Sequence, residues 1–383
     1  MTYPCQACAA DRLLEIPGFS QLPRVTSDSK PFSRGGRLAV CQGCGMVQKL
    51  PDARWLAEIG EIYRDYEMYH QSAANDQAVF DPVSGRPKGR CEVLAQRLLE
   101  PGRLPGRGSL LDVGAGSGAM LAAVSSAGHD WRLFGLDLDN RKERSLSAIP
   151  RFERLFTTAP EQVAQQFDLL TLIHSLEHFP QPVAMLGSLR GLIAPGGRLF
   201  VQVNNAERTP FDLVVADHMC HFTPESLACL VARSGLGVEG VWTDWVNKEL
   251  SLLAGDAPQA AAPRTEDAAA ATARVRRDVD WLAGMLAHAR GLSSQAGKGR
   301  FGMFGTSVAA TWLASGLGEA IDFYVDEDPA RQGRLHLGRP IVLPGEVAPG
   351  ATVYLAFIGD IAAQIARRLG HLPLSFAAPP AAG

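Results

Sequence analysis

One short loop constrains this chain more than any other feature. Positions 112–118 read Asp-Val-Gly-Ala-Gly-Ser-Gly, directly after the apolar run Ser109-Leu110-Leu111. Glycines at alternate positions let a backbone turn sharply and pass close beneath a ligand, in conformations other residues avoid. A helical stretch, 118–127, follows and is stopped by Gly128. A strand that breaks into glycines and opens a helix leaves unpaired N–H groups at the helix start. A dinucleotide loop of the form G-x-G-x-x-G would place a phosphate there. Here an acid, Asp112, stands at the strand end. It repels a pyrophosphate and suits a cationic or amino-bearing ligand.

One helix and one strand later, the run 132–137 ends in a second acid, Asp137. A carboxylate at that strand tip is placed to accept from both ribose hydroxyls. The two acids and the glycines together describe a nucleoside ligand without phosphate, which is what S-adenosylmethionine (SAM) is. Further apolar runs, 167–173, 197–203 and 238–242, alternate with helix-like stretches, 91–99 and 183–192. Such alternation predicts a parallel α/β sheet. Residues 255–272 read as an Ala/Pro-rich linker running into a helix over 267–290, with Val275, Val279, Leu282, Met285 and Leu286 at helical spacing. A second α/β pattern starts at Arg300 and Phe301, with helices over 307–314 and 361–369 and strands over 321–325 and 352–358. It predicts a small Rossmann-like unit, followed by a disordered tail over 377–383.

The charge balance excludes some partners. With 37 Lys and Arg against 40 Asp and Glu, the net charge is −3, which argues against nucleic-acid binding by bulk electrostatics. No run of uncharged apolar residues is long enough for a membrane span. The start, Met1-Thr2-Tyr3-Pro4-Cys5, lacks the charged and apolar regions of a signal peptide, so a cytoplasmic location is expected. In that compartment the 7 cysteines do not suggest a disulfide framework. Four form the pairs Cys5-x-x-Cys8 and Cys41-x-x-Cys44, enough soft ligands for a closed tetrahedral zinc site. The competing reading is a redox pair, but a thioredoxin-type C-x-x-C opens a helix in a βαβ setting and neither pair does. Cys91, Cys220 and Cys229 read as small buried hydrophobes.

The stretch from Leu110 to about Trp245 resembles the class I SAM-dependent methyltransferases. The resemblance rests on Asp112 to Gly118, on Asp137, on Phe167-Asp168-Leu169-Leu170 running into His174-Ser175-Leu176-Glu177-His178, and on Leu192-Ile193-Ala194-Pro195-Gly196-Gly197. It implies that Gly114, Gly116 and Gly118 line the methionine and ribose part of SAM. It places Asp112 near the amino group, Asp137 on the ribose, residues 158–161 beside the adenine and His174 near the transferable methyl.

Nearly the whole chain resembles the zinc-containing, three-domain sugar C-methyltransferases that act on nucleotide-linked deoxysugars. The segment Cys41-Gln42-Gly43-Cys44-Gly45-Met46-Val47-Gln48 resembles that family's zinc segment, and Tyr66-Glu67-Met68-Tyr69-His70 its substrate loop. The run from Phe323 to Arg334 resembles its C-terminal domain. The implied architecture is a Rossmann-like α/β methyltransferase core between an N-terminal zinc-binding module and a second Rossmann-like domain. The implied boundaries are 1–82, 83–255 and 256–383. The implied acceptor is a sugar, nucleotide-linked or in a surface glycan, with Tyr66, Tyr69 and His70 facing it. Structural zinc would be held by Cys5, Cys8, Cys41 and Cys44.

One departure bears on mechanism. The family's Tyr-His-Glu-His block becomes Val215-Ala216-Asp217-His218. Carbon methylation needs a proton abstracted beside a ketone and an enolate held in place; oxygen methylation needs one base and alignment. The candidate base is His218, oriented by Asp217 or another acid, followed by His221, then His178 or His174. Each histidine has a structural alternative. His221 precedes a good helix start, with Thr223 as N-cap and Pro224 in the first turn. Carbon, oxygen and nitrogen acceptors, and a non-sugar metabolite or protein acceptor, stay open at this level, as does a non-catalytic SAM-binding role.

Overall fold

The computed structural model describes residues 3–64, 66, 76–80, 87–256, 263–297, 299–328, 331–358 and 360–381. Its largest element is a seven-stranded sheet grown from the glycine-loop strand Arg107–Val113. On one side lie Asp130–Leu136 and then Phe152–Phe156; on the other lie Phe167–Ile173 and Ile193–Asn204, all parallel. Glu249–Gly255 then pairs antiparallel with Ile193–Asn204, and Gly237–Trp242 antiparallel with Glu249–Gly255. Chain order reverses on the two sides of Arg107–Val113. That is a topological switch point, and the crevice outside its strand ends is where open α/β sheets bind ligands.

Two of these strands were not anticipated. Glu249–Gly255 is buried along its whole length, so it lacks the alternation that marks a half-exposed strand. Its first residue is an acid, which Arg90 neutralises at 3.0 Å inside the protein. Phe152–Phe156 is an edge strand with exposed charges at Glu153 and Arg154.

The glycines are needed where they stand. Gly114 has φ +77, and a Cβ there would lie 2.9 Å from Ser175 Cβ. Gly118 has φ +79, and its Cβ would meet Leu146 Cδ2 at 2.5 Å and Ile149 Cδ1 at 2.7 Å. The helix Ala119–Ser126 therefore begins immediately beneath the loop.

A second, four-stranded sheet joins Leu13–Glu15, Leu38–Cys41, Val47–Lys49 and Cys220–His221. Its last strand comes from the middle of the chain and pairs antiparallel with Val47–Lys49. The register sets His221 opposite Val47 and Cys220 opposite Gln48. A third sheet, of six strands, contains Phe301–Phe304 flanked in parallel by Phe323–Val325 and Thr352–Tyr354.

The helix Ala268–Ala296 is capped by Asp267, which accepts from Ala270 N at 2.7 Å. It buries Val275, Val279, Leu282, Met285 and Leu286 in the core shared by the first and last parts of the chain. Trp312 Nε1 donates to Pro23 O at 2.7 Å across the same contact. The expected disordered tail is corrected as far as the described residues run. Ser375–Ala377 is an edge strand, and Trp281 Nε1 donates to Pro380 O at 2.9 Å. No helix among the described residues is long and apolar enough to cross a membrane.

Candidate active site

The glycine loop and the acid of the neighbouring strand are physically joined. Asp137 Oδ2 accepts from Gly116 N at 2.8 Å, and its Oδ1 accepts from Leu138 N at 2.7 Å. Asp112 is buried behind them and accepts from Thr171 Oγ1 at 2.6 Å. Burial raises its pKa to about 7 against the opposing Thr171 bond. Ser175 Oγ donates to Val113 O at 2.9 Å, which ties the loop to the segment holding Glu177 and His178. The rim expected to hold SAM and the histidine cluster therefore share one wall.

His174 is the first residue of that wall and takes an unusual φ of +50. Its ring lies between two acids: Nδ1 is 3.1 Å from Glu177 Oε1, and Nε2 is 3.0 Å from Glu249 Oε2. Burial and Arg90 pull its pKa down, but the two carboxylates outweigh them and carry it to about 9. His174 is thus an imidazolium at neutral pH, which corrects its candidacy as a base.

The remaining histidines divide into two pairings. His178 Nδ1 lies 3.3 Å from Asp217 Oδ2 and 3.2 Å from Asp217 O. Asp217 also accepts from Ser27 N at 2.9 Å and from Ser27 Oγ. His178, with these partners, has its pKa raised despite burial. His218 pairs with a different acid: its Nδ1 is 2.7 Å from Asp212 Oδ1. Of the acids left open for His218, Asp217 or another, the structure brings another to it. Asp217 is next in sequence, but Asp212, in the short helical turn Pro210–Val214, is next in space. Asn204 Nδ2 also donates to Asp212 Oδ1, at 2.9 Å. Burial would raise both acids, yet their imidazole partners hold Asp212 and Asp217 well below the carboxylate range.

The His178 and His218 rings meet edge to face with centroids 4.8 Å apart. Tyr63 packs its ring 6.1 Å from His178, and the Tyr66 hydroxyl lies 3.2 Å from Ser27 Oγ. Tyr69 and His70 lie outside the described residues.

His221 is a second correction. Its side chain is 0% exposed, with Nδ1 2.6 Å from Asp212 Oδ2 and Nε2 2.9 Å from Lys49 Nζ. Burial and the Lys49 charge push its pKa down to about 4. A ring enclosed in this way cannot reach an acceptor. It does stand before the helix Pro224–Arg233, whose N-cap Thr223 accepts from Ser226 N at 3.3 Å.

Lys49 and Asp212 escaped sequence reasoning. The available signal was weak: a single charge inside each apolar run, Met46 to Leu50 and Pro210 to Ala216. The N-terminal segment clamps this loop elsewhere as well. Trp55 Nε1 donates to Ala216 O at 3.0 Å, and Ala216 N donates to Val25 O at 2.8 Å.

The four paired cysteines converge. Cys5 and Cys44 sulfurs are 3.6 Å apart, as are those of Cys8 and Cys41, and all four lie within 4.8 Å of one another. A disulfide would need about 2.05 Å. A tetrahedron of thiolates around zinc, with Zn–S of about 2.3 Å, has edges of about 3.8 Å. The residues fit that ion. Cys91 and Cys220 are buried, and Cys229 is partly so, with its sulfur 3.9 Å from Ala7 O.

Known proteins resemble the central part of the chain. Residues 86–240 match a family model described as a methyltransferase domain. A ubiquinone biosynthesis O-methyltransferase from Xanthomonas axonopodis pv. citri is 27% identical over 169 residues, covering 38% of this chain and 70% of that protein. One from Bordetella avium is 31% identical over 165 residues, covering 37% of this chain and 66% of that protein. In other curated relatives of the same name the match spans only 52% to 58% of their length. A solved SAM-dependent methyltransferase from Clostridium acetobutylicum superposes with a TM-score of 0.36 at 10% identity, covering 53% of this chain and 98% of that one. The chain carries a SAM-dependent methyltransferase domain.

Proposed function

We propose that this protein transfers the methyl group of SAM to a hydroxyl oxygen of a sugar, with His218 accepting the hydroxyl proton. The observation that carries this reading is the His218–Asp212 pair. Its Nδ1 is engaged at 2.7 Å by a carboxylate, and its Nε2 makes no hydrogen bond among the described residues. A neutral imidazole oriented by an acid is suited to proton abstraction near neutral pH.

Gly114, Gly116, Gly118, Asp137 and Asp112 are the residues that would hold SAM. When bound, SAM supplies a methyl carbon on a positively charged sulfonium, and its loss leaves a neutral thioether that needs no acid. The protein's work is alignment and proton removal. His218 Nε2 takes the acceptor's proton as the new oxygen–carbon bond forms. Asp212 stabilises the resulting imidazolium, as a buried carboxylate does for a base it orients. His174 remains charged between Glu177 and Glu249 and braces the wall rather than taking the proton.

Oxygen rather than carbon attack is supported by the O-methyltransferase relatives and by Val215 and Ala216 standing where the C-methyltransferases have Tyr and His. The sugar acceptor is supported by the resemblance outside the methyltransferase domain, at the cysteine pairs and at Tyr66 to His70. A second reading follows from the relatives' name: an acceptor of the kind methylated in ubiquinone biosynthesis. Zinc at Cys5, Cys8, Cys41 and Cys44 belongs to the same proposal, supported by the sulfur spacing.

The test follows formation of demethylated SAM over a panel of nucleotide-sugars, glycan fragments and quinone precursors. Turnover on a sugar, with the methyl found on oxygen by NMR and lost in His218→Gln, is the expected result. Turnover only on quinone precursors would replace the sugar reading. A methyl on carbon, or ring-carbon deuterium exchange without SAM, would overturn oxygen attack.

A further inference from the structure

Lys49 ends the strand Val47–Lys49, and its side chain is completely buried. Its side-chain nitrogen has three close acceptors, Leu213 O at 2.8 Å, His221 Nε2 at 2.9 Å and Val215 O at 3.2 Å, with His218 O at 3.5 Å. The Phe19 ring lies 5.2 Å away. From His221 the contacts continue without a gap. His221 Nδ1 is 2.6 Å from Asp212 Oδ2, and Asp212 Oδ1 is 2.7 Å from His218 Nδ1.

The proton positions along this chain follow from which atoms can donate. An ionised carboxylate only accepts, so both Nδ1 atoms facing Asp212 must carry hydrogen. A lysine nitrogen whose hydrogens point at His221 Nε2 needs a lone pair there. His221 is then neutral, with its single proton on Nδ1. We propose that Lys49 is a positioning residue: by donating to His221 Nε2 it keeps His221 neutral, so that the Asp212 charge stays available to fix His218 with its proton on Nδ1 and its lone pair on Nε2.

Without this donor, His221 Nε2 would be a buried acceptor with no partner beside a carboxylate. The cheapest remedy is to take up a proton, which forms an ion pair with Asp212. His218 would then share its acid with a cation. The charged and titratable groups around Lys49 are Asp212, Asp217, Arg24, Cys220 and His221. Burial and Arg24 lower its pKa to about 7, with the two aspartates opposing. The uncharged amine keeps two hydrogens, enough for the two nearest acceptors, Leu213 O and His221 Nε2, so the His221 bond survives its titration.

This inference gives a use to a buried charge that the proposed mechanism does not employ. It rests on the proposed function only in calling His218 the proton acceptor. The experiment reads the imidazoles directly, without SAM or acceptor, so its failure is separate from a failure of methyl transfer. The full-length chain is labelled with nitrogen-15 histidine and followed by NMR from pH 5.5 to 8.5, with His218→Gln and His221→Gln used for assignment. The expected result is a neutral His221 across that range, protonated on Nδ1, with the same tautomer for neutral His218. In Lys49→Met the His221 midpoint should rise at least tenfold in proton affinity, and Lys49→Arg should keep His221 neutral. Finding His221 in the wild-type protein as an imidazolium, or with its proton on Nε2, overturns the proposal even where Lys49→Met does not fold. So do unmoved His221 signals in a folded Lys49→Met.

Discussion

Replacing Asp137 by alanine tests the cofactor side of the site without knowledge of the acceptor. The structure sets what is lost. One oxygen accepts from Gly116 N at 2.8 Å and the other from Leu138 N at 2.7 Å, so the side chain braces the glycine loop. A carboxylate has roughly four lone-pair sites, which leaves about two for a ligand's hydroxyls. A hydrogen bond to a charged group contributes about 1.5–3 kcal/mol. Losing one such net contribution to the ligand loosens binding by about tenfold to 150-fold. The loss of the Gly116 bond adds to this by freeing the loop. The residue is only partly buried, so water can replace part of what the two backbone N–H groups lose, and the cost to folding should be about 1–3 kcal/mol. Calorimetric titration with demethylated SAM measures the affinity, and a thermal melt checks the fold. Asp137→Asn keeps one oxygen acceptor and should fall between wild type and alanine. An alanine variant that binds within twofold of wild type would show that Asp137 does not hold the ribose.

Three further outcomes are expected. Gly118→Ala forces a Cβ to 2.5 Å from Leu146 Cδ2 at a φ of +79. The left-handed conformation costs about 1–2 kcal/mol and the overpacking about 1–3 kcal/mol, so urea denaturation should show a loss of about 2–5 kcal/mol. For His174, the folded pKa of about 9 lies above the ordinary imidazole value of about 6.5. Its stabilisation is therefore complete below about pH 6.5, of order 3 kcal/mol, and is lost as pH rises through 9. The melting-temperature gap between wild type and His174→Gln should be wide at pH 6 and nearly closed near pH 9.5; a gap independent of pH would refute the ion pair. For the cysteines, Cys44→Ser should lower bound zinc, read by elemental analysis, from one ion per chain to near none. Methyl transfer should fall with it, since the strands Leu38–Cys41 and Val47–Lys49 lead from these thiols to Lys49 and His221. Full zinc content in Cys44→Ser would remove that residue from the ligand set.

The glycine loop and its acidic partner were readable in the linear chain because their signals are local. Asp112 through Gly118 are contiguous, and Asp137 follows after one helix and one strand, a spacing that the βαβ unit imposes. The cysteine pairs were legible for the same reason. The pairing of His218 was only half legible. His218 was visible as an imidazole in a promising block, but its acid could be named only as Asp217 or another. Hydrogen-bond partners in a turn are chosen by where side chains point, and Asp212 is delivered by the short helical turn before the loop. The strand Glu249–Gly255 was hidden because complete burial removes the alternation that identifies strands.

By itself, then, the amino-acid order determined the parallel α/β core, the glycine turn with its two acids and the four converging thiols. Backbone conformation and spacing specify these within short stretches. Only the tertiary structure decided which partner each histidine meets. His174, His178, His218 and His221 are chemically identical as residues. They differ because one sits between two glutamates, two face separate aspartates across a shared ring contact, and one is enclosed with Lys49. Those partners come from segments far apart in the chain, and in a buried site the nearest charge and the loss of water set an imidazole's pKa. The residue type cannot carry that information, so the partners of these histidines became readable only once residues 24–49 and 212–221 were seen packed together.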